Sequence, residues 1–354
     1  MKLIIPTYNR SAKLHRTLEY YSNVRERINC EIYVLDGSTS DHASWNEKNA
    51  GHADRISYIN FSSDIPLLER LLKFLESCPD DELIIVGNDE DVFLPAYFSE
   101  AQNFMEANND YSSYIGRYVT LCKPIFGFKR LSHFRDYITD CDISMTDPMR
   151  RLSLLMTMNM IGCSPVFYSI RRNNQLITSL KCQLQVHFAS TGELVDQAML
   201  SLSGKVKFVD KAMLLRDETN LGYQASSIRN DPDVYINEKD LEKFLNAVSS
   251  ADQSEGLLER LELIADWFRP IEGETSKKPS LAITRHRNAY SSYRSLSQKS
   301  FFPESFIRNI SRCGTVLSQI VSWFSIKRQL LMTEEKSSMD IFLRTVKTHD
   351  KYEQ

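Results

Sequence analysis

The residues best suited to chemistry stand at Asp89-Glu90-Asp91, where the apolar run Leu83-Ile84-Ile85-Val86 breaks off into acids. Four apolar residues bounded by polar ones read as a buried strand of a parallel sheet, which puts the carboxylates at its C-terminal edge. Open α/β sheets bind ligands at that edge. Asp89 and Asp91 lie two residues apart, so in an extended or turning segment both can face one pocket and offer hard oxygen ligands to Mn²⁺ or Mg²⁺. The plainer alternative is an acidic loop that caps the next helix, and the neighbouring elements must decide between the two.

Those elements alternate strand and helix over the first hundred residues. Leu3-Ile4-Ile5 reads as a strand, and Ser11 as the N-cap of a helix to about Tyr21 with Leu14, Leu18 and Tyr21 on one face. Glu31 to Leu35 is a second strand, broken by the turn-rich loop Asp36-Gly37-Ser38-Thr39-Ser40-Asp41. Ile56 to Ile59 is an edge-like strand. Ile65 to Leu75 carries Leu68, Leu71, Leu72 and Leu75 at helical spacing and leads through Cys78-Pro79 into the acidic strand. Alternation of this kind predicts an α/β fold, a mostly parallel mixed sheet flanked by helices, Rossmann-like in plan. Further along, helices are expected over Tyr97–Asn108, Pro148–Met160, Thr191–Ser201 (capped by Thr191 or Gly192) and Leu241–Phe268. Strands are expected over Tyr114–Val119, Val166–Ile170 and Lys205–Val209.

Three loops thus follow three early strands: Pro6 to Arg10, Asp36 to Ser38, and Asp89 to Asp91. In a doubly wound sheet they share one edge despite their separation in sequence. The first offers hydrogen bonds ahead of a helix N-terminus, suited to a base, ribose or phosphate. The second offers a carboxylate to a ring N–H of a base or to a ribose hydroxyl. The third suits the cation that neutralises a diphosphate.

Leu3-Ile4-Ile5-Pro6-Thr7-Tyr8-Asn9-Arg10 with Leu14-His15-Arg16-Thr17-Leu18 resembles the opening of family 2 glycosyltransferases, inverting enzymes of the A-type nucleotide-sugar fold. Leu35 to Asp41 is similar to their second motif and Asn88-Asp89-Glu90-Asp91 to their metal-binding acidic motif, closest to bacterial members with an acidic triplet. The resemblance continues through Asp110-Tyr111, Pro148 to Leu152, Gly192 to Val195 and Gly204-Lys205 to Leu215-Arg216-Asp217-Glu218, covering about residues 1–225. It implies that Pro6, Thr7, Tyr8 and Arg10 line a nucleotide pocket and that Asp36 meets the base. It further implies that Asp89 holds the ribose or joins the metal shell, that Asp91 ligates the metal, and that Arg70 faces the nucleotide. Inversion at a sugar carbon needs a general base for the acceptor hydroxyl. Relatives supply an Asp or Glu at the start of a helix in the second half, which points to Glu193, with Asp196 as the alternative. Arg216 would contact the diphosphate or the acceptor. The chain departs from the family in two places: Leu194 follows Glu193 where an acid is usual, and no His follows Arg216 before His286.

Composition agrees with a globular protein: 354 residues, 42% hydrophobic and 25% charged, with net charge −3. No stretch of about 18 apolar residues predicts a membrane span. Lys2 to Pro6 is too short for a signal peptide and reads as a first core strand. Seven scattered cysteines without a Cys-x-x-Cys pair read as reduced thiols of a cytoplasmic protein, and a soft-metal site is disfavoured.

The segment 277–328 carries ten bases against the single acid Glu304, interleaved with Phe301, Phe302, Phe306, Trp323 and Phe324. Two readings remain open for it. One is an interfacial helix that places the protein peripherally on the inner, anionic face of a membrane; the other is a subdomain packed on the core. Nucleic acid is disfavoured as a partner because the rest of the chain is acidic and shows no recognition motif.

The expected organisation is a nucleotide-sugar-binding catalytic domain over residues 1–230 and a helical C-terminal region over 231–354, with a linker at Gly273–Pro279. The expected activity is transfer from a nucleotide-sugar donor, a UDP-sugar, to a glycan or lipid-linked acceptor in bacterial surface polysaccharide synthesis. A nucleotidyltransferase acting on a sugar phosphate and a non-catalytic nucleotide- or glycan-binding module are the alternatives.

Overall fold

The computed structural model describes residues 1–50, 56–125, 128–133, 143–148, 151–152, 165–186, 189–218 and 238–251, with 337–338, 341–342 and 344–345. In chain order the elements are β1 (Lys2–Thr7), α1 (Ser11–Asn23), β2 (Glu31–Asp36), α2 (Ser40–Ala50), β3 (Ile56–Asn60), α3 (Leu67–Leu75), β4 (Leu83–Val86), β5 (Val92–Phe93) and α4 (Pro95–Ala107). Then come β6 (Tyr111–Ile125), β7 (Phe128–His133), β8 (Ile170–Arg172), α5 (Asn173–Gln183), α6 (Ala189–Ser203), β9 (Lys205–Glu218) and α7 (Glu238–Ala251).

The strands form one mixed sheet in the order β3-β2-β1-β4-β8-β6-β9-β5, with β7 paired to β6. β3, β2, β1 and β4 run parallel, as right-handed βαβ units require, and β8 then returns antiparallel to β4. Strand alternation splits the apolar residues between two faces. Leu3, Ile5, Ile32, Val34, Leu83 and Ile85 pack with Leu14 and Leu18 of α1. Ile4, Leu35, Ile84 and Val86 pack with Leu71 and Leu75 of α3 and with Leu176 and Leu180 of α5. Each such side chain contributes about 1.5–3 kcal/mol on burial.

The early strands and helices follow the sequence pattern, and four details differ. α2 occupies part of what reads as loop: it has no apolar stripe, and Ala43 and Asn46 are its buried side chains. Its entry is set by a main-chain bond, Ala43 N–H to the Thr39 carbonyl at 2.9 Å, which leaves no mark in the hydrophobic pattern. Arg10, not Ser11, holds the cap position of α1 and makes no side-chain cap bond. The strand expected at Val166–Ile170 is a 3-10 turn at Pro165–Tyr168, with pairing confined to Ile170–Arg172, and α5 follows it without an anticipated signal. α6 begins at Ala189, so neither Thr191 nor Gly192 caps it.

Some of the described residues after 230 pack against the elements before it. Phe244 and Val248 of α7 pack with Val195, Ala198 and Met199 of α6, and Phe342 lies edge-on to Tyr20 at 6.3 Å. Most of Pro148–Met160 and of Leu241–Phe268, the Gly273–Pro279 linker and the basic segment 277–328 lie outside the described residues. Among the described residues, no helix is long and apolar enough to cross a membrane.

Candidate functional site

The loops after β1, β2 and β4 meet at one edge of the sheet. Pairing of Thr7 with Asp36 ends β1 and β2 level, and the Gly37 N–H donates to the Thr7 carbonyl at 3.2 Å. Asn9 sits in the left-handed region (φ 54°), which Asn tolerates better than most residues. From there its N–H donates to Ser38 Oγ at 2.8 Å and its Oδ1 accepts from Thr39 N–H at 2.9 Å. The two loops are thereby stitched side chain to backbone, and Tyr8 between the stitches is left half exposed at 48%.

Asp36 forms the inner frame of this socket. Its carboxylate is wholly buried and accepts from Ser38 N–H at 2.7 Å, Asn46 Nδ2 at 2.6 Å and the Tyr58 hydroxyl at 2.6 Å. These three donors tie the carboxylate to the loop after β2, to α2 and to β3. Arg70, on α3, is buried too, and its Nη1 donates to the carbonyls of Thr7 (2.9 Å) and Leu35 (3.3 Å). A Cβ on Gly37 would stand 2.2 Å from that Nη1, which is why the loop needs glycine there. Burial lowers the Arg70 pKa, partly offset by the charge of Asp36.

The acidic loop is held from α1. Asp89 accepts from Thr7 Oγ1 at 2.8 Å and Arg10 Nη1 at 2.9 Å, and its carbonyl accepts from Thr17 Oγ1 at 2.9 Å. Glu90 pairs with Arg10 Nη2 at 2.7 Å and with Lys13, while Arg16 donates to the Glu90 carbonyl at 2.9 Å and pairs with Asp217. Asn88 shapes the turn: Oδ1 accepts from the Glu90 and Asp91 N–H groups, and Nδ2 donates to Asp91 Oδ2 (2.8 Å) and to the Tyr168 hydroxyl (2.9 Å). Asp91 also accepts from the Asp217 N–H at 3.1 Å and has Arg216 Nε at 3.8 Å. The end of β9 is therefore brought onto the end of β4.

Burial pushes the Asp89 carboxyl up to about 6, against the pull of Arg10 and Thr7. Burial pushes Asp91 up to about 7, against the pull of Arg216. Both shifts come first from burial, and the positive groups beside the two carboxylates, Arg10 and Arg216, offset it only in part.

The chain brings together Pro6, Thr7, Tyr8, Arg10, Asp36, Arg70, Asp89, Asp91 and Arg216. Glu193 lies in the first turns of α6. Asp196, one turn on, belongs to a different set: it is buried and forked by Arg171, with Nη1 to Oδ1 at 2.5 Å and Nη2 to Oδ2 at 2.7 Å. Both of its carboxylate oxygens are thereby engaged by Arg171. Lys13, Arg16, Asn88, Tyr168 and Asp217 carry no expected role, yet they build the loop. The spacing of Arg10, Lys13 and Arg16 along one helical face was the available signal. Beside them a cleft of about 640 Å³ opens, with Lys13, His42 and the partly exposed Trp45 in its wall.

Among the described residues, no group of three or more His, Cys, Asp or Glu side chains is placed to hold a metal ion. A Mg²⁺ carried with a nucleoside diphosphate needs fewer protein ligands: one or two carboxylates, with phosphate oxygens and water completing the shell. Asp89 and Asp91 are hard oxygen donors of the type that Mg²⁺ and Mn²⁺ favour, and their raised proton affinity is what a bound cation relieves. Their chemistry fits such an ion.

No protein-family model matches the chain, and no curated protein does. Among solved structures it is similar to S. aureus TarS 1–349, at 11% identity and TM-score 0.49, over 99% of this chain and 91% of that one. The same protein in complex with UDP-GlcNAc gives 15% identity and TM-score 0.49, over 83% and 80%. Glucosyl-3-phosphoglycerate synthase from Mycobacterium tuberculosis gives 14% identity and TM-score 0.40, over 70% and 79%.

Proposed function

We propose that the chain is a metal-dependent inverting glycosyltransferase that moves a sugar from a UDP-sugar to a hydroxyl of a glycan or lipid-linked acceptor. The observation that carries this reading is the pair of buried carboxylates, Asp89 and Asp91, set at the rim of a socket built by the loops after β1 and β2. The order of the motifs along residues 1–225 supports the same chemistry and suggests the donor class.

In this reading the exposed ring of Tyr8 stacks on the base, and the main chain of Pro6 and Thr7 bounds the ribose end. Asp36 and Arg70 act from beneath, fixing the height of the two loops. Arg10 reaches the rim with 39% of its side chain exposed, and turns from Asp89 and Glu90 to the diphosphate. Asp91, with Asp89, would hold Mn²⁺ or Mg²⁺, which supplies charge neutralisation for the departing diphosphate. Arg216, beside Asp91, adds a second positive group on that side. Glu193 takes the proton from the acceptor hydroxyl as its oxygen bonds to the anomeric carbon, while the bond from that carbon to the diphosphate oxygen breaks on the opposite face. The product sugar is inverted, the nucleoside diphosphate carries off the electron pair, and Glu193 carries the proton.

The test is transfer from a panel of nucleotide-sugars by the intact protein and by Glu193→Gln. The reading expects turnover with a UDP-sugar, loss of turnover on the order of 10²–10⁴-fold in the variant, and unchanged UDP affinity. Turnover retained in Glu193→Gln removes Glu193 as the base, and no transfer or nucleotide binding with any donor removes the enzyme reading.

A further inference from the structure

We propose that the buried Arg171–Asp196 ion pair is a positioning device that fixes the turn of α6 carrying Glu193 against the sheet, an inference that rests on the reading of Glu193 as the base. Arg171 lies in β8 opposite Ile84 of β4, the strand that leads into Asp89 and Asp91. Asp196 lies in α6, three residues after Glu193. The guanidinium meets the carboxylate fork to fork at 2.5 and 2.7 Å, with both side chains 2% exposed. α5 adds Ser179 Oγ at 2.6 Å and Gln183 Nε2 at 3.3 Å to the same carboxylate oxygen, and Arg171 Nε donates to Ser169 Oγ at 3.1 Å. Strand, preceding turn and two helices are thus locked through one carboxylate.

Such a pair is not the cheapest way to hold a helix down. Two apolar side chains of similar volume stabilise a core as well or better, because the charges must first be stripped of water. A bidentate fork differs in fixing angle as well as distance. α6 already has apolar contacts, through Val195, Ala198 and Met199, that would tolerate sliding and rotation. One residue of rotation about the helix turns every side chain by about 100°. Pinning Asp196 to β8 removes that freedom one turn from Glu193, and it refers Glu193 to the strand next to β4. The turn of α6 that carries Glu193 is then held in one frame with β8 and β4.

The experiment uses the full chain, with Arg171→Met/Asp196→Leu as the apolar replacement and Arg171→Lys as the variant that keeps the charge but loses the fork. Each is made alone and with Glu193→Gln. Thermal unfolding, UDP affinity, kcat and the KM for donor are measured. The expected result is a cooperative fold and unchanged UDP affinity, with kcat down on the order of 100-fold in the apolar replacement, the cost of an ångström-scale misplacement, and a smaller fall in Arg171→Lys. In the Glu193→Gln background neither replacement lowers kcat further, because the group they position is already gone. If the apolar replacement does not fold, Arg171→Lys decides alone. Wild-type kcat in a folded replacement, or in Arg171→Lys, overturns the positioning role, as does an equal loss with and without Glu193. Full turnover in Glu193→Gln itself is the separate outcome that removes the base and the inference together.

Discussion

Replacing Gly37 by Ala adds one methyl group at the point where the first two loops and Arg70 meet. The new Cβ would stand 2.2 Å from Arg70 Nη1 and 2.4 Å from Cζ. Carbon contacts settle at about 3.5–4.0 Å, so the guanidinium must retreat by more than an ångström. A retreat of that size draws Nη1 away from the Thr7 and Leu35 carbonyls, which it meets at 2.9 and 3.3 Å from a position only 4% exposed. Overpacking costs about 1–3 kcal/mol, and loss of charged hydrogen bonds a further 1.5–3 kcal/mol or so. Stiffening the unfolded chain returns about 0.4–1 kcal/mol. The expected destabilisation is about 1.5–5.5 kcal/mol by urea unfolding, together with weaker UDP binding because Thr7 and Gly37 move. In an Arg70→Ala background the obstacle is gone, and Gly37→Ala should then cost less than about 1 kcal/mol. Equal costs in the two backgrounds, or no cost in either, would refute the packing argument.

Other perturbations separate scaffold from site. Arg16→Met removes the ion pair between Arg16 and Asp217, whose side chains are 7% and 4% exposed, and stability should fall by about 3–5 kcal/mol in chemical denaturation; a loss below about 1 kcal/mol would refute a stabilising role for the pair. Tyr8→Ala should weaken UDP binding by about 1–3 kcal/mol, as loss of a stacking ring does, without moving the melting temperature. For Glu82, burial raises the pKa, but the bonds from Lys2 and the N-terminal ammonium outweigh it and the folded value lies below the ordinary one. A depressed carboxyl pKa gives stability that is present above the unfolded value of about 4.3 and is lost as pH falls through the folded value. The stability gap between the protein and Glu82→Gln should therefore be open at about pH 6 and close toward about pH 3; a gap that widens on acidification would reverse the sign.

The sheet's first half could be read from the sequence because its signal is local: Leu3–Ile5, Glu31–Leu35 and Leu83–Val86 are apolar runs ending at turn residues, and chain order alone puts their ends on one edge. α2 could not, because its helix is stitched by backbone bonds under a polar surface. The role of Asp36 shows a second kind of limit. The bonds that Asp36 accepts from Ser38, Asn46 and Tyr58 leave no mark in the residues around it in sequence. Asp196 is the same case: its partner Arg171 is 25 residues away, and only folding reveals that the charge is spent on it. Lys13 and Arg16 were visible as bases on one helical face, but the acids they meet lie on loops far along the chain.

The central claim is that the rim built by Asp89 and Asp91 binds a nucleoside diphosphate together with a divalent cation. Calorimetric titration of UDP into the protein, with and without Mn²⁺, tests it most directly when repeated on Asp91→Asn. The account predicts binding that Mn²⁺ strengthens at least about tenfold, a gain of about 1.4 kcal/mol, and predicts that Asp91→Asn abolishes this gain while weak metal-free binding remains. The same Mn²⁺ enhancement in Asp91→Asn as in the unaltered protein, or no UDP binding under any condition, would contradict it.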